Sequence, residues 1–279
     1  MIMINTIYRN NLFLNKTALV TGGGTGIGLR IARELAQLGA CVILLSRKKE
    51  NLNKAVDQIT CEGGKAFAIE CNIREEESIK MAIKTALAFT DNIDYLVNNA
   101  GGQFPAPAEM INRKGWQAVI DLNLNGTFFI TQEVFNACME QKGGAIVNIT
   151  ANFWNGFPMM SHTGAARAAV ENLTKTLAVE WGKYGIRING VAPGTVHSSG
   201  LNSYAPEFQD HIFNVRSKNN QSYRLATEAE IASAVVFLLS PAASYITGET
   251  IKVDAGESIF SPICPPTQPS NFPIFDDEK

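Results

Sequence analysis

An apolar stretch, Thr17-Ala18-Leu19-Val20, runs directly into Thr21-Gly22-Gly23-Gly24-Thr25-Gly26-Ile27-Gly28, and a helical pattern from Leu29 to Leu38 follows. A strand that feeds a glycine turn, which in turn opens a helix, reads as a dinucleotide-binding βα unit. Gly22 permits the tight turn, Gly26 lets the backbone approach a pyrophosphate, and Gly28 lets helix pack on strand. The phosphates are expected on the free N–H groups at the helix N-terminus, where the dipole favours negative charge. Gly24, Thr25 and Ile27 share the turn and are assigned to the cofactor with it. The alternative is a glycine-rich βα turn with no ligand.

The rest of the chain repeats the alternation. Apolar runs at about 17–21, 41–46, 66–71, 93–98, 144–149, 187–192 and 250–253 read as buried parallel strands. Helical patterns lie between them at 26–39, 49–62, 75–89, 112–141, 161–184 and 227–240. The expected fold class is α/β: one Rossmann-like domain over residues 1–258, a doubly wound parallel sheet with helices on both faces. Two segments break the rhythm. A long connection at about 195–226 lies where a substrate lid belongs. The tail, 259–279, carries Pro262, Pro265, Pro266, Pro269 and Pro273, so an extended course is expected. Its Phe260, Phe272 and Phe275 suggest docking on the body or on a neighbouring subunit, and a disordered tail is the alternative.

Composition narrows the function classes. A net charge of −2 over 279 residues gives no support for nucleic-acid binding. The five cysteines are scattered, with no C-x-x-C spacing, so neither a disulfide framework nor a metal site is indicated. Met1 to Asn15 lacks the features of a signal peptide, and no apolar run approaches the ~18 residues of a membrane span. The closing Asp276-Asp277-Glu278-Lys279 is not a peroxisomal address. A cytoplasmic location is the expectation.

The second strand selects the dinucleotide. NAD sites usually place an acid at its end, for the adenine ribose. Here Cys41-Val42-Ile43-Leu44-Leu45 ends in Ser46-Arg47-Lys48, with no carboxylate before Glu50. A guanidinium binds a 2′-phosphate that a carboxylate would repel, so NADP(H) is favoured. The alternative for Arg47 and Lys48 is a solvated helix start, with an anion nearby to offset the dipole.

Further segments carry a family resemblance. Asn98-Asn99-Ala100-Gly101 follows the fourth strand, and Asn123-Leu124-Asn125-Gly126 lies in the helical pattern at 112–141. Gly185-Ile186-Arg187-Ile188-Asn189 leads to Val191-Ala192-Pro193-Gly194. Thr247-Gly248 precedes the last strand and Asp254-Ala255-Gly256 closes it. With the first glycine turn, this resembles the short-chain dehydrogenase/reductase family over about residues 15–257. The family usually carries Tyr-x-x-x-Lys at the head of the helix that here spans about 161–184, the phenol as general acid/base and the lysine on the nicotinamide ribose. Here that register reads Thr163-Gly164-Ala165-Ala166-Arg167. A threonine hydroxyl is too weak an acid to replace a phenol, and arginine does not deprotonate.

Family members without this tyrosine reduce carbon–carbon double bonds of acyl-CoA thioesters. The chain resembles most the peroxisomal-type trans-2-enoyl-CoA reductases. The carrying segments are Gly101-Gly102-Gln103-Phe104, Pro107-Ala108-Glu109, Lys114-Gly115-Trp116, Gly156-Phe157-Pro158, His162 to Ala168, and Leu239-Ser240-Pro241-Ala242-Ala243-Ser244. The 2,4-dienoyl-CoA reductases are close relatives. The resemblance implies hydride delivery to the β-carbon, charge on the thioester oxygen and a proton for the α-carbon.

It also implies roles. Arg167 is expected on the nicotinamide ribose or near the thioester; an i+4 ion pair with Glu171, extended to Lys175, is the alternative. Thr163 reads as a donor to the thioester oxygen or as a helix N-terminal hydroxyl. Thr150 supplies the hydroxyl of the family's serine. Asn123 corresponds to the asparagine whose backbone orders a water, or it is a polar kink residue. Asn99, Ala100 and Gly101 pass the adenosine ribose, and Asn72, with Ile73, stands where an aspartate often meets adenine. Pro193, Gly194 and Val196 are expected at the carboxamide. His162 reads as a hydrogen-bonded loop residue, with proton donation as the other option, and Tyr204 as a buried lid aromatic. Partners implied are an acyl-CoA thioester and a second copy of the chain, as homodimer or homotetramer, packed through the small residues Gly164-Ala165-Ala166 and Ala168-Ala169, with helix packing inside one chain as the alternative for that run.

Overall fold

The computed structural model describes residues 10–201, 204–268 and 271–275. Of the calls above, those on residues 1–9, Pro269 and Asp276 to Lys279 lie outside the described residues. Seven strands form one parallel sheet: β1 (Thr17–Thr21), β2 (Cys41–Ser46), β3 (Lys65–Glu70), β4 (Tyr95–Asn98), β5 (Gly144–Ile149), β6 (Ile186–Pro193) and β7 (Thr250–Val253). Their spatial order is β3-β2-β1-β4-β5-β6-β7. The order reverses between β1 and β4, which pair from Ala18↔Tyr95 to Val20↔Val97, so a crevice opens at their carboxyl ends.

Alternation along each strand loads both faces of the sheet, as strand geometry requires. Val20, Val42, Leu44, Val97 and Val147 enter one core. Leu19, Ile43, Leu45, Leu96 and Ile146 enter the other. The first core is closed by α1 (Gly26–Gln37), α2 (Lys49–Cys61) and, further along the chain, α9 (Glu228–Leu239). The second is closed by α3 (Glu76–Phe89), α5 (Gly126–Val134) and α7 (Ser161–Trp181). In α1, Ile31, Ala32, Leu35 and Ala36 are buried, the spacing of one helix face.

The helix expected at 112–141 is one helical run that changes pitch. It comprises α4 (Arg113–Ile120), a π-helical turn at Asp121–Asn125, α5, a second π-helical turn at Phe135–Met139 and the short α6 (Glu140–Lys142). The connection expected as an irregular lid contains a helix, α8 (Pro206–Arg216). Pro206 starts it, Glu207 lies in its first turn and Arg216 in its last, all favourable placements. None of its residues is buried. It therefore lacks the apolar stripe by which the other helices can be recognised in sequence. Among the described residues no helix is long and apolar enough to cross a membrane.

The tail departs in detail from the expected extended course. A short 3-10 turn, Glu257–Ile259, leads into it. Residues 271–275 lie on the base of the lid. Arg224 donates to the Pro273 carbonyl and Thr227 to that of Phe275, each at 2.7 Å. The main chain makes these contacts, while the rings of Phe272 and Phe275 stay about half exposed.

Candidate active site

The crevice between β1 and β4 is built from both strands at once. The buried Thr21 hydroxyl donates to the Val97 carbonyl at 3.2 Å and accepts from the Asn99 and Ala100 N–H groups, both at 3.0 Å. The Asn99 amide donates back to the Thr21 carbonyl at 3.0 Å. Gly22 (φ +66°) makes the turn. A Cβ at Gly28 would run into the Gly22 carbonyl and the Asn99 amide, so only glycine lets α1 sit this close. Thr25 is extended and its side chain caps no N–H of α1. Gly24 lies against Asn51 of α2, and Ile27 packs on the first core. This cradle fits a pyrophosphate: it is tight against the backbone and opens on a helix N-terminus without a side-chain cap from Thr25.

At the end of β2, Ser46 is half-buried while Arg47 and Lys48 are exposed. Neither cation forms a salt bridge among the described residues. The carboxylate at the head of α2, Glu50, binds Lys54 instead, at 2.7 Å. The strand end itself lacks an acid, but the register sets Glu70 opposite Ser46, a neighbour that is not visible in the sequence of β2 alone. Asn72 follows β3. Its amide donates to Glu75, and its N–H donates to the Ser78 hydroxyl at 2.9 Å. Ile73 packs beneath the π-helical region, where a Cβ at Gly126 would strike it.

The altered catalytic register lies in the first two turns of α7. Thr163 and Arg167 are both buried. Arg167 donates one guanidinium hydrogen to the Ile149 carbonyl at 2.8 Å. Its ion-pair alternative does not form: Glu171 is paired with Lys175. A Cβ at Gly101 would overlap the guanidinium and come within 2.8 Å of Asn123 Oδ1. A fully buried guanidinium with one hydrogen bond and no carboxylate partner among the described residues is costly, and burial lowers its pKa to about 10. It calls for a polar or anionic partner, and a nicotinamide ribose or an oxyanion fits that need.

The remaining candidates are committed to the framework. Asn123, fully buried in the first π-helical turn, donates to the Gly102 carbonyl at 2.7 Å and accepts from Gly102 N–H at 3.3 Å. Its own carbonyl accepts from the Thr127 hydroxyl at 2.9 Å. Such turns recur at functional sites. Thr150 donates its one hydroxyl proton to the Val191 carbonyl at 3.2 Å, so in this state it can only accept elsewhere. The Thr163 N–H donates to His162 Nδ1 at 2.8 Å. Burial pushes the His162 pKa down, favouring the neutral ring. His162 is therefore a buried helix residue, edge-on to Phe104 with ring centres 4.6 Å apart, and not a loop residue. Its Nε2 and Asn152 Oδ1 are buried without a partner. Asn152 lies in the loop after β5 and His162 in the first turn of α7.

The carbonyl of Pro193 accepts from Asn152 N–H at 3.1 Å, and Gly194 N–H donates to the Val253 carbonyl at 3.0 Å. Val196 forms a parallel bridge with Ala226 that stitches the two ends of the lid together. Tyr204 is half-buried, its hydroxyl accepting from Gln103 at 2.8 Å, which joins the lid to the loop after β4.

Several motif residues serve the scaffold. Arg187 caps the end of α9 by donating to the carbonyls of Leu238, Leu239 and Ser240. Asn189 binds Ile246 and Glu249 main chain across the turn into β7. Sequence reasoning missed one buried relay. Asn98 donates to Thr131 at 2.7 Å and to Asn148 at 2.8 Å, and Asn148 donates to Thr174 at 2.8 Å. It ties β4 and β5 to α5 and α7 beneath the site. The signal was present: asparagine ends or nearly ends two apolar strands, and Asn98 pairs with Asn148. Among the described residues no cluster of His, Cys, Asp or Glu could hold a metal ion.

A family model described as enoyl-(acyl carrier protein) reductase matches residues 22–258. A Bacillus subtilis probable 2,4-dienoyl-CoA reductase, (2E)-enoyl-CoA-producing, is 38% identical over 246 residues, covering 87% of this chain and 96% of that protein. The Danio rerio peroxisomal 2,4-dienoyl-CoA reductase, (3E)-enoyl-CoA-producing, is 34% identical, covering 90% and 84%. Among solved structures, the citronellol catabolism dehydrogenase of Pseudomonas aeruginosa PAO1 is 43% identical with a TM-score of 0.81, covering 91% of this chain and all of that one.

Proposed function

The chain belongs to the short-chain dehydrogenase/reductase family, and from that premise we propose that it reduces the 2,3 double bond of a trans-2-enoyl-CoA thioester with NADPH. The observation that carries the reading is the buried Arg167 beside a threonine where the family's phenol would stand. Carbonyl–alcohol exchange needs a group that gives and takes a proton at the reacting oxygen. Thr163 and Arg167 do neither well. They can instead orient a ribose and stabilise negative charge, which is what conjugate reduction of a thioester requires.

Nicotinamide, when bound, supplies the hydride. Gly22, Gly24, Thr25, Gly26, Ile27 and Gly28 would hold the pyrophosphate, and Asn99, Ala100 and Gly101 the adenosine ribose. Asn72 and Ile73 would line the adenine. Ser46, Arg47 and Lys48 would take the 2′-phosphate, which favours NADP(H) over NAD(H). Pro193, Gly194 and Val196 would face the carboxamide. Arg167 would bind the nicotinamide ribose and the Thr163 hydroxyl would face the thioester oxygen; Thr150, its proton given to the Val191 carbonyl, would accept a hydrogen bond beside them, and Asn123 holds the Gly102 loop.

The names of the Bacillus and Danio relatives favour a second reading, a 2,4-dienoyl-CoA substrate. Following NADPH absorbance with enoyl- and dienoyl-CoA thioesters of short, medium and long chain separates the two by rate. Tight NADPH binding with no turnover on any thioester would leave a non-catalytic NADP(H)-binding protein. For assembly, the outer face of α7 (Gly164, Ala165, Ala168) and Phe153, Phe157 and Pro158 line an apolar groove of about 480 Å³. We propose a second copy there, in a homodimer or homotetramer, which sedimentation would measure.

A further inference from the structure

Glu257 is a carboxylate with two jobs that the reaction does not use. It is only 5% exposed. One oxygen accepts from Arg216 at 2.8 Å, and the other accepts from the Thr195 N–H at 3.2 Å. A Cβ at Gly194 would lie 3.0 Å from that second oxygen, so the carboxylate also packs on the turn that leaves β6. The segment that presents it is fixed. Ala255 (φ +47°) and Gly256 (φ +80°) both take left-handed backbone. The Asp254 carboxylate accepts from the N–H groups of Gly256 and Ser258, each at 2.9 Å. The Ala255 carbonyl accepts from Gln221 N–H at 2.9 Å. The short stretch 254–258 therefore grips the lid near its start, at the end of α8, and again at Gln221.

We propose that Glu257 is the positioning residue of the lid: its carboxylate locks the turn after β6 to the end of α8 through Arg216, and so sets how firmly the acyl-CoA thioester is held. The inference rests on residues 195–226 being the substrate lid of the reductase proposed above. The charged groups facing Glu257 are Arg216 of α8 and Asp254 of its own turn. Burial and Asp254 raise its pKa, against Arg216 and the Thr195 N–H. Acidification therefore protonates it early, and the bond to Arg216 loses its charge.

The test uses purified full-length Glu257→Gln and Arg216→Met, alone and combined. Hydrogen exchange read by mass spectrometry is the first readout and needs no turnover. In each variant, peptides within 204–222 should exchange about tenfold faster than native, while peptides of α9 hold their rate. The double variant should add little, because both changes break one link. The second readout is kinetic: KM for the thioester rises about tenfold, kcat changes less, and the NADPH dissociation constant, measured without thioester, stays within about twofold. Native KM should climb on the acid side, and Glu257→Gln should flatten that limb. Unchanged lid exchange in Arg216→Met, the half-exposed partner and the safer variant for folding, overturns the proposal; so does faster exchange spread equally over α9. If no thioester is turned over, the reductase reading fails, while the exchange data still decide whether Glu257 holds this segment.

Discussion

Replacing Arg167 with methionine removes the most anomalous charge in the protein, and the expected result is a more stable protein without nucleotide. Methionine keeps most of the buried length and loses the cation. The fall of the guanidinium pKa to about 10, with burial as its cause, corresponds to about 3 kcal/mol of penalty on the charged form at ~1.4 kcal/mol per pH unit. Against this stands the one hydrogen bond to the Ile149 carbonyl. Losing it leaves a buried acceptor unsatisfied, at about 1–2 kcal/mol. The net is a gain of about 1–2 kcal/mol, in line with replacements of buried charges by apolar side chains. The sign in pH follows: a cation whose pKa falls on folding destabilises the native state below that pKa, so the gain should hold throughout pH 6–9. Urea unfolding with and without saturating NADPH measures both halves. Native protein should be stabilised strongly by NADPH, and the variant, more stable alone, should gain less. Destabilisation of the variant without nucleotide by more than about 2 kcal/mol would show that Arg167 is satisfied in the empty site, and the argument from an unmet buried charge would fail. An unchanged NADPH increment would show that Arg167 does not touch the nucleotide.

Three further outcomes are expected. Arg47→Glu should weaken NADPH binding about 10- to 100-fold, as for loss of hydrogen bonds to a charged group, with little change for NADH; nicotinamide fluorescence titration reads both. Gly28→Ala places a methyl against the Gly22 carbonyl and the Asn99 amide, so stability should fall by about 1–3 kcal/mol and NADPH affinity with it, measured by denaturation and titration. Asn148→Leu strips the Asn98 amide of an acceptor and Thr174 of a donor, and about 2–4 kcal/mol of loss is expected in urea unfolding.

The fold could be read from the chain because each strand is a short apolar run between punctuated helices, and the sheet buries both of its faces. What could not be read depended on distance. α8 buries nothing, so no periodicity marked it. Glu70 lies in β3, and only the register brings it opposite Ser46. Motif spacing located Asn123, Thr150, Thr163 and Arg167, but not what their side chains do. Thr150 is bonded to the next strand and Asn123 to a neighbouring glycine, partners that only tertiary packing supplies. The Glu171–Lys175 pair shows the same limit: helical spacing allows Arg167 to join it, while packing turns the Arg167 guanidinium inward to the Ile149 carbonyl. The tail's phenylalanines suggested docking, and its carbonyls make the contacts.

The bonds from Thr21 to Asn99 and Ala100 span nearly eighty positions. During synthesis, the first glycine turn leaves the ribosome long before the segment that shapes it. A nascent chain ending before β4 carries the signature motif yet has no finished cradle. Nucleotide can thus reward only the late, nearly complete fold, and the slow non-local pairing of β1 with β4 must proceed without its help.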